Sequence, residues 1–157
     1  MLREKKIRRP CVDTARADET ILAIADRMRQ RNVGTMIVID DDEHPVGIVT
    51  DRDLVTRVVA DRRDPAETTV GDVMTKNPTT VTEHGARDIA LLLMKDGGFR
   101  RVPVVDGERR LVGVLSLDDV VRTLAADMAR VAGVLDVQSP QSVAESRASG
   151  THARSSR

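Results

Sequence analysis

Gly47-Ile48-Val49-Thr50-Asp51-Arg52-Asp53 and Gly113-Val114-Leu115-Ser116-Leu117-Asp118-Asp119 decide the fold. Each runs from a glycine through an apolar stretch to a hydroxyl residue, with an aspartate three places on. A shift of 66 lays one on the other, setting Gly47 on Gly113, Thr50 on Ser116 and Asp53 on Asp119. The same shift sets Met28 on Met94 and Val38 on Val104, and it sets Leu54, Val55, Val58 and Val59 on Val120, Val121, Leu124 and Ala125. Self-similarity at one period means that the chain is built from two copies of one supersecondary unit.

Outward from these stretches, both copies read alike. Ile21, Ile24, Ala25 and Met28 have the spacing of a helix that starts near Thr20, and Ala86, Ile89, Ala90, Leu93 and Met94 mark its counterpart from about Gly85. A hairpin follows in each. The first has Met36–Ile39, a turn over Asp40–Pro45, then Val46–Val49; the second has Val102–Val105, a turn at Asp106-Gly107, then Leu111–Leu115. Each hairpin leads directly into a second amphipathic helix, after Thr50 or Ser116. The expected organisation is a basic arm over 1–6, a first repeat over 7–62, a charged linker with Pro65 over 63–71, a second repeat over 72–135 and a disordered tail over 136–157. Ala126–Leu135 reads as an extension of the last helix. One such unit buries too little surface alone, so the two are expected to pack pseudo-symmetrically in a mixed α/β (α+β) fold, with paired clefts at their junction.

Composition sets the limits on function. With Phe99 as the lone aromatic residue in 157, the core must be aliphatic, and aromatic platforms for stacking bases are excluded. Formal net charge is zero, although Arg3, Lys5, Lys6, Arg8 and Arg9 crowd the start; these read as a solvated arm, and nucleic acid is an unlikely partner. Cys11 is the only cysteine, which excludes an intrachain disulfide framework. No apolar run approaches the roughly 18 residues of a membrane span, so a cytoplasmic location away from membranes is expected.

The hydroxyl–aspartate pairs have two readings. Thr or Ser with an acid at the third helical position resembles a capping box that only starts a helix. Aspartate, however, is short for folding back. A hydroxyl at a helix N-terminus is also well placed to meet a phosphate, and an aspartate one turn in could accept from ribose hydroxyls.

The tandem pattern resembles a pair of CBS domains, the repeat first described in cystathionine β-synthase, over about Ile7 to Leu135. The residues that carry it are the two quoted tracts, Arg100-Arg101-Val102-Pro103-Val104-Val105-Asp106, and Val70-Gly71-Asp72-Val73-Met74-Thr75 at the entry to the second copy. The resemblance implies β-α-β-β-α repeats whose clefts bind AMP, ADP, ATP or S-adenosylmethionine. Thr50 and Ser116 would contact phosphate or ribose, Asp53 and Asp119 would hold ribose hydroxyls, and Arg100 and Arg101 would face a phosphate. Met36, Ile37, Val102 and Pro103 would line an apolar slot for adenine. The first copy departs from the pattern, having Gly34-Thr35 where the second has the arginine pair.

His44, His84 and His152 lack ligand spacing, and the Asp40–Glu43 run lacks the alternation of a calcium loop, so no metal site is expected. No Walker loop, dinucleotide fingerprint or nucleophile elbow occurs. The expected protein is a non-catalytic regulatory module, a homodimer with an adenine nucleotide as ligand and an effector protein as partner. The alternative is a ligand-free scaffold that docks a partner through its helix faces.

Overall fold

The computed structural model describes residues 12–83 and 86–137. The basic arm, Cys11, His84 and most of the expected tail lie outside them. The described residues up to Leu117 form one unit, and those from Asp118 onward form a second.

The first unit holds two sheets. Strands β1 (Thr14–Ala15), β2 (Thr35–Ile39), β3 (Pro45–Thr50) and β4 (Thr75–Lys76) lie side by side in that order, and β5 (Val81–Thr82), β6 (Arg101–Val105) and β7 (Leu111–Ser116) form the other sheet. Each sheet has a parallel pair (β1 with β2, β5 with β6) followed by an antiparallel hairpin. Helix α1 (Ile21–Arg31) precedes the first hairpin and α4 (Ala86–Gly97) precedes the second. Thr20 starts α1 by accepting from the Ala23 N–H at 3.3 Å, and Asn32 ends it in the left-handed conformation at φ 53°.

The 66-residue repeat is reproduced bond by bond. Thr35 pairs with Thr50 as Arg101 pairs with Ser116, and both hairpins are bulged, between Val38 and Ile39 and between Val104 and Val105. The Asp51 N–H donates to the Gly34 carbonyl at 3.0 Å, as the Leu117 N–H does to Arg100 at 2.9 Å. The turns match as well. The Asp40 carboxylate accepts from the N–H groups of Asp42 and His44, and that of Asp106 from Glu108 and Arg110. The left-handed residue is Glu43 in one turn and Arg109 in the other, so the acidic run is a turn held by its own first aspartate.

One apolar cluster lies in each repeat. Ile21, Ile24 and Met28 of α1 pack with Met36, Val38 and Val49, while Ala90 and Met94 of α4 pack with Val81, Val102 and Val104. Every side chain in both clusters is aliphatic apart from the partly buried Phe99, as the composition requires. Ile89, expected on the buried face of its helix, is instead exposed.

The expected linker, 63–71, is anchored at its end: Val70 is fully buried, and the Val70 and Gly71 N–H groups each donate at 2.8 Å to the carbonyls of Glu19 and Ala17. Val70 and Val73 of α3 (Val70–Val73) belong to the first cluster, and β4 completes the first sheet, so the entry to the second copy is structural material of the first. The helix after Thr50 is also irregular. One α-turn, α2 (Asp51–Leu54), passes into a π-helical turn, Val55–Val59, closed by Ala60 N–H to Val55 carbonyl at 2.9 Å. That turn buries Val58 and leaves Val55 and Val59 exposed, so only part of the expected apolar set faces the core.

Candidate functional site

Register places each candidate hydroxyl at the end of its hairpin. Thr50 ends β3 opposite Thr35, and Ser116 ends β7 opposite Arg101. Arg101 Nη1 donates to Thr35 Oγ1 at 2.5 Å. Those two residues are equivalents under the repeat, so a bond between them marks where the two copies meet. The hairpins also join at their far ends, where Leu111 N–H donates to the Glu43 carbonyl at 2.9 Å and His44 Nε2 lies 3.1 Å from the Glu108 carbonyl. One guanidinium and the hydroxyls of Thr35, Thr50 and Ser116 thus belong to matching strand ends, a donor set suited to a phosphate. Thr35 was not foreseen, although its place opposite Arg101 under the repeat pointed to it.

Aspartate proves long enough to fold back. Asp53 Oδ2 accepts from Thr50 N–H at 2.9 Å and from Thr50 Oγ1–H at 2.7 Å, while the Asp53 N–H donates to Thr50 Oγ1 at 3.2 Å. Thr69 and Asp72, well away from these strand ends in sequence, form the same box at 3.0 and 2.8 Å. Thr69 N–H is the first cause that holds the Asp72 carboxyl below its ordinary range. A capping box is therefore a local habit of this chain.

Each box also has an arginine: Arg63 Nη2 lies 3.5 Å from Asp72 Oδ2, and Arg57, four residues on, reaches Asp53. Its Nη2 lies 3.3 Å from Asp53 Oδ1 and 3.3 Å from Thr75 Oγ1, and its Nη1 donates to the Val73 carbonyl at 2.5 Å. It ties the carboxylate to α3 and β4. The i, i+4 spacing of Asp53 and Arg57 was the signal in the sequence. A carboxylate offers about four acceptor positions, and Thr50 and Arg57 occupy most of those on Asp53.

The apolar candidates divide. Met36 and Val102, expected to line an adenine slot, lie in the two apolar clusters. Ile37 and Pro103, equivalents under the repeat, alternate with them along the strands and so lie on the opposite sheet faces, where both are buried. Arg100 contributes its carbonyl to Leu117. Asp119 stands with Asp118 in the first turn of α5 (Leu117–Val137), in the second unit. Among the described residues no group of three or more His, Cys, Asp or Glu could hold a metal, and no helix is long and apolar enough to cross a membrane.

Two sheet-and-helix repeats with matched turns and hydroxyl-ended strands define a tandem pair of one small domain. The CBS domain model matches residues 5–60 and 70–126, and the chain belongs to that family. An uncharacterised protein of Methanopyrus kandleri is 34% identical over 117 residues, covering 74% of this chain and 60% of that protein, so the match spans about three fifths of the relative's length. A CBS-domain protein from Burkholderia ambifaria has a TM-score of 0.69 at 29% identity, over 80% of this chain and 90% of that one. The CBS domain pair of protein MJ0100, in complex with 5′-methylthioadenosine and S-adenosyl-L-methionine, has a TM-score of 0.65 at 27% identity, over 74% and 90%. CBSX2 in complex with AMP has a TM-score of 0.63 at 27% identity, with the same coverage.

Proposed function

We propose that this chain is a non-catalytic regulatory module that binds an adenine nucleotide or S-adenosylmethionine where its two repeats meet. The observation that carries the reading is the Arg101–Thr35 bond, which brings a guanidinium to the hydroxyl-bearing strand ends of the other repeat. The ligands held by the two CBS pairs described above share adenosine, which supports the same ligand class here. In this reading Arg101 and the hydroxyls of Thr50 and Ser116 hold phosphate or ribose oxygens, Asp53 and Asp119 hold ribose hydroxyls, and Ile37 and Pro103 flank the base. Arg100 adds positive charge.

Ribose at Asp53 competes with Arg57 for Oδ1. Binding therefore loosens or turns a guanidinium that holds α3 and β4 through Val73 and Thr75. A ligand that favours one placement of that segment shifts the population of states. The module acts in the cytoplasm, as a homodimer, on an effector protein.

Isothermal titration with AMP, ATP and S-adenosylmethionine tests this. Saturable binding by the wild type, at least tenfold weaker in Asp53→Asn or Asp119→Asn, is expected. The fully formed box at Asp53 favours one rival, a scaffold without ligand in which these pairs only start helices. Absence of heat and of any thermal shift with all three compounds would establish that rival instead.

A further inference from the structure

His44 spans the turns of the two hairpins. Its ring Nε2 lies 3.1 Å from the Glu108 carbonyl in the second turn, and its Nδ1 lies 3.4 Å from Asp40 Oδ2 in its own. Both neighbours are acceptors with no proton to give, the Asp40 carboxyl being held below its ordinary range, first by the His44 backbone N–H. A neutral imidazole carries one N–H and one bare lone pair, so it satisfies one neighbour and turns the lone pair on the other. The imidazolium offers a proton to each. The repeat supplies the comparison, since the shift of 66 sets Asp40 on Asp106 and His44 on Arg110. Arg110 Nε donates to Asp106 Oδ2 at 3.1 Å, which repeats the His44–Asp40 pair with a permanent cation in place of a titratable one. Arg110 also pairs with Glu108 of its own turn at 2.7 Å, whereas His44 reaches across to the other turn.

We propose that His44 is a pH-sensitive clasp between the two hairpin turns, closed when its ring is charged and loosened when it is neutral. The other charged groups around it are Asp41, Asp42 and Glu43 on its own turn, Arg16 between β1 and α1, and Asp106, Glu108, Arg109 and Arg110 on the facing turn. Asp41 is paired with Arg16 at 3.1 Å, and Arg110 with Asp106 and Glu108. Carboxylates and guanidiniums hold their charge between about pH 5 and 8, whereas imidazole changes its own in that range. The clasp therefore responds to the ring alone. Beside it the Leu111 N–H donates to the Glu43 carbonyl, one residue before His44, so this second link between the turns reports whether the ring holds them. The clasp lies at the hairpin ends remote from the Arg101–Thr35 bond, and it stands independently of the nucleotide reading.

Nuclear magnetic resonance of the full chain, isotopically labelled and without nucleotide, tests this from about pH 8 down to about pH 5.5. As the His44 ring gains its second proton, the Glu108 carbonyl carbon signal is expected to move with the same midpoint. Exchange protection of the Leu111 N–H, corrected for the intrinsic effect of pH, is expected to rise about threefold over the same range. His44→Arg, which copies the second repeat, is expected to make that protection independent of pH. His44→Gln, whose side chain donates through one amide group, is expected to resemble the high-pH wild type throughout. A His44 ring that titrates with no response at Glu108 or Leu111 would overturn the proposal. A Leu111 response that persists in both variants would overturn it too, because another group would then be its source.

Discussion

At the scale of single residues, the carboxylates at helix starts show how much one side chain settles. Asp53 both caps α2 and takes Arg57, so its two roles separate by substitution. Asp53→Asn keeps an acceptor for Thr50 and is expected to unfold within about 0.5 kcal/mol of wild type, whereas Asp53→Ala loses about 1 kcal/mol, read by denaturant unfolding. Arg57→Leu leaves the Val73 carbonyl without its charged donor and is expected to cost about 1–2 kcal/mol in the same assay, with nucleotide affinity unreduced because Asp53 Oδ1 is freed. Glu19 gives the pH dependence. Partial burial pushes its carboxyl up, but bonds from Arg27 and from the Arg16 N–H, the latter at 2.7 Å, more than offset this and leave it below its ordinary value. A depressed folded value means that the stabilisation is complete above the unfolded value of about 4.3. It is lost as pH falls through the lower folded value. Melting temperatures from pH 7 to pH 3 should fall on the acid side less steeply for Glu19→Gln than for wild type.

At the scale of elements, the glycine that opens the first decisive tract has a steric reason. A Cβ on Gly47 would stand 2.3 Å from Met74 Sδ and 3.3 Å from Val38 Cβ, because the entry segment of the second copy crosses β3 there. Gly47→Ala is expected to destabilise by about 1–3 kcal/mol through overpacking, and Met74→Ala in the same chain should recover part of that loss, a coupling that a double-mutant cycle measures. The hairpins, their bulges and α1 and α4 were legible because alternation and helical spacing are local properties of the chain. The π-turn at Val55–Val59 was not, since an apolar spacing of Leu54, Val55, Val58 and Val59 serves an α-helix equally well. In the wider turn Val58 is buried and Arg57 reaches the Val73 carbonyl.

At the scale of the whole molecule, a ligand that binds only the folded chain raises stability by about 2.7 kcal/mol at a hundred times its Kd. Under the proposed function, AMP, ATP or S-adenosylmethionine should raise the melting temperature in a concentration-dependent way, and Asp53→Asn should need a higher concentration for the same rise. By itself the sequence determined the duplication, the order of elements in each copy, the aliphatic cores and the family, because each follows from patterns that recur along the chain at fixed spacing. Only the tertiary structure decided that Val70 and Val73 belong to the first core, that Met36 and Val102 pack in the two clusters, that Thr35 meets Arg101, and that Arg57 links Asp53 to β4. Those facts join residues 16 to 66 positions apart, and such pairings depend on how sheets and helices close on one another, which no local spacing encodes.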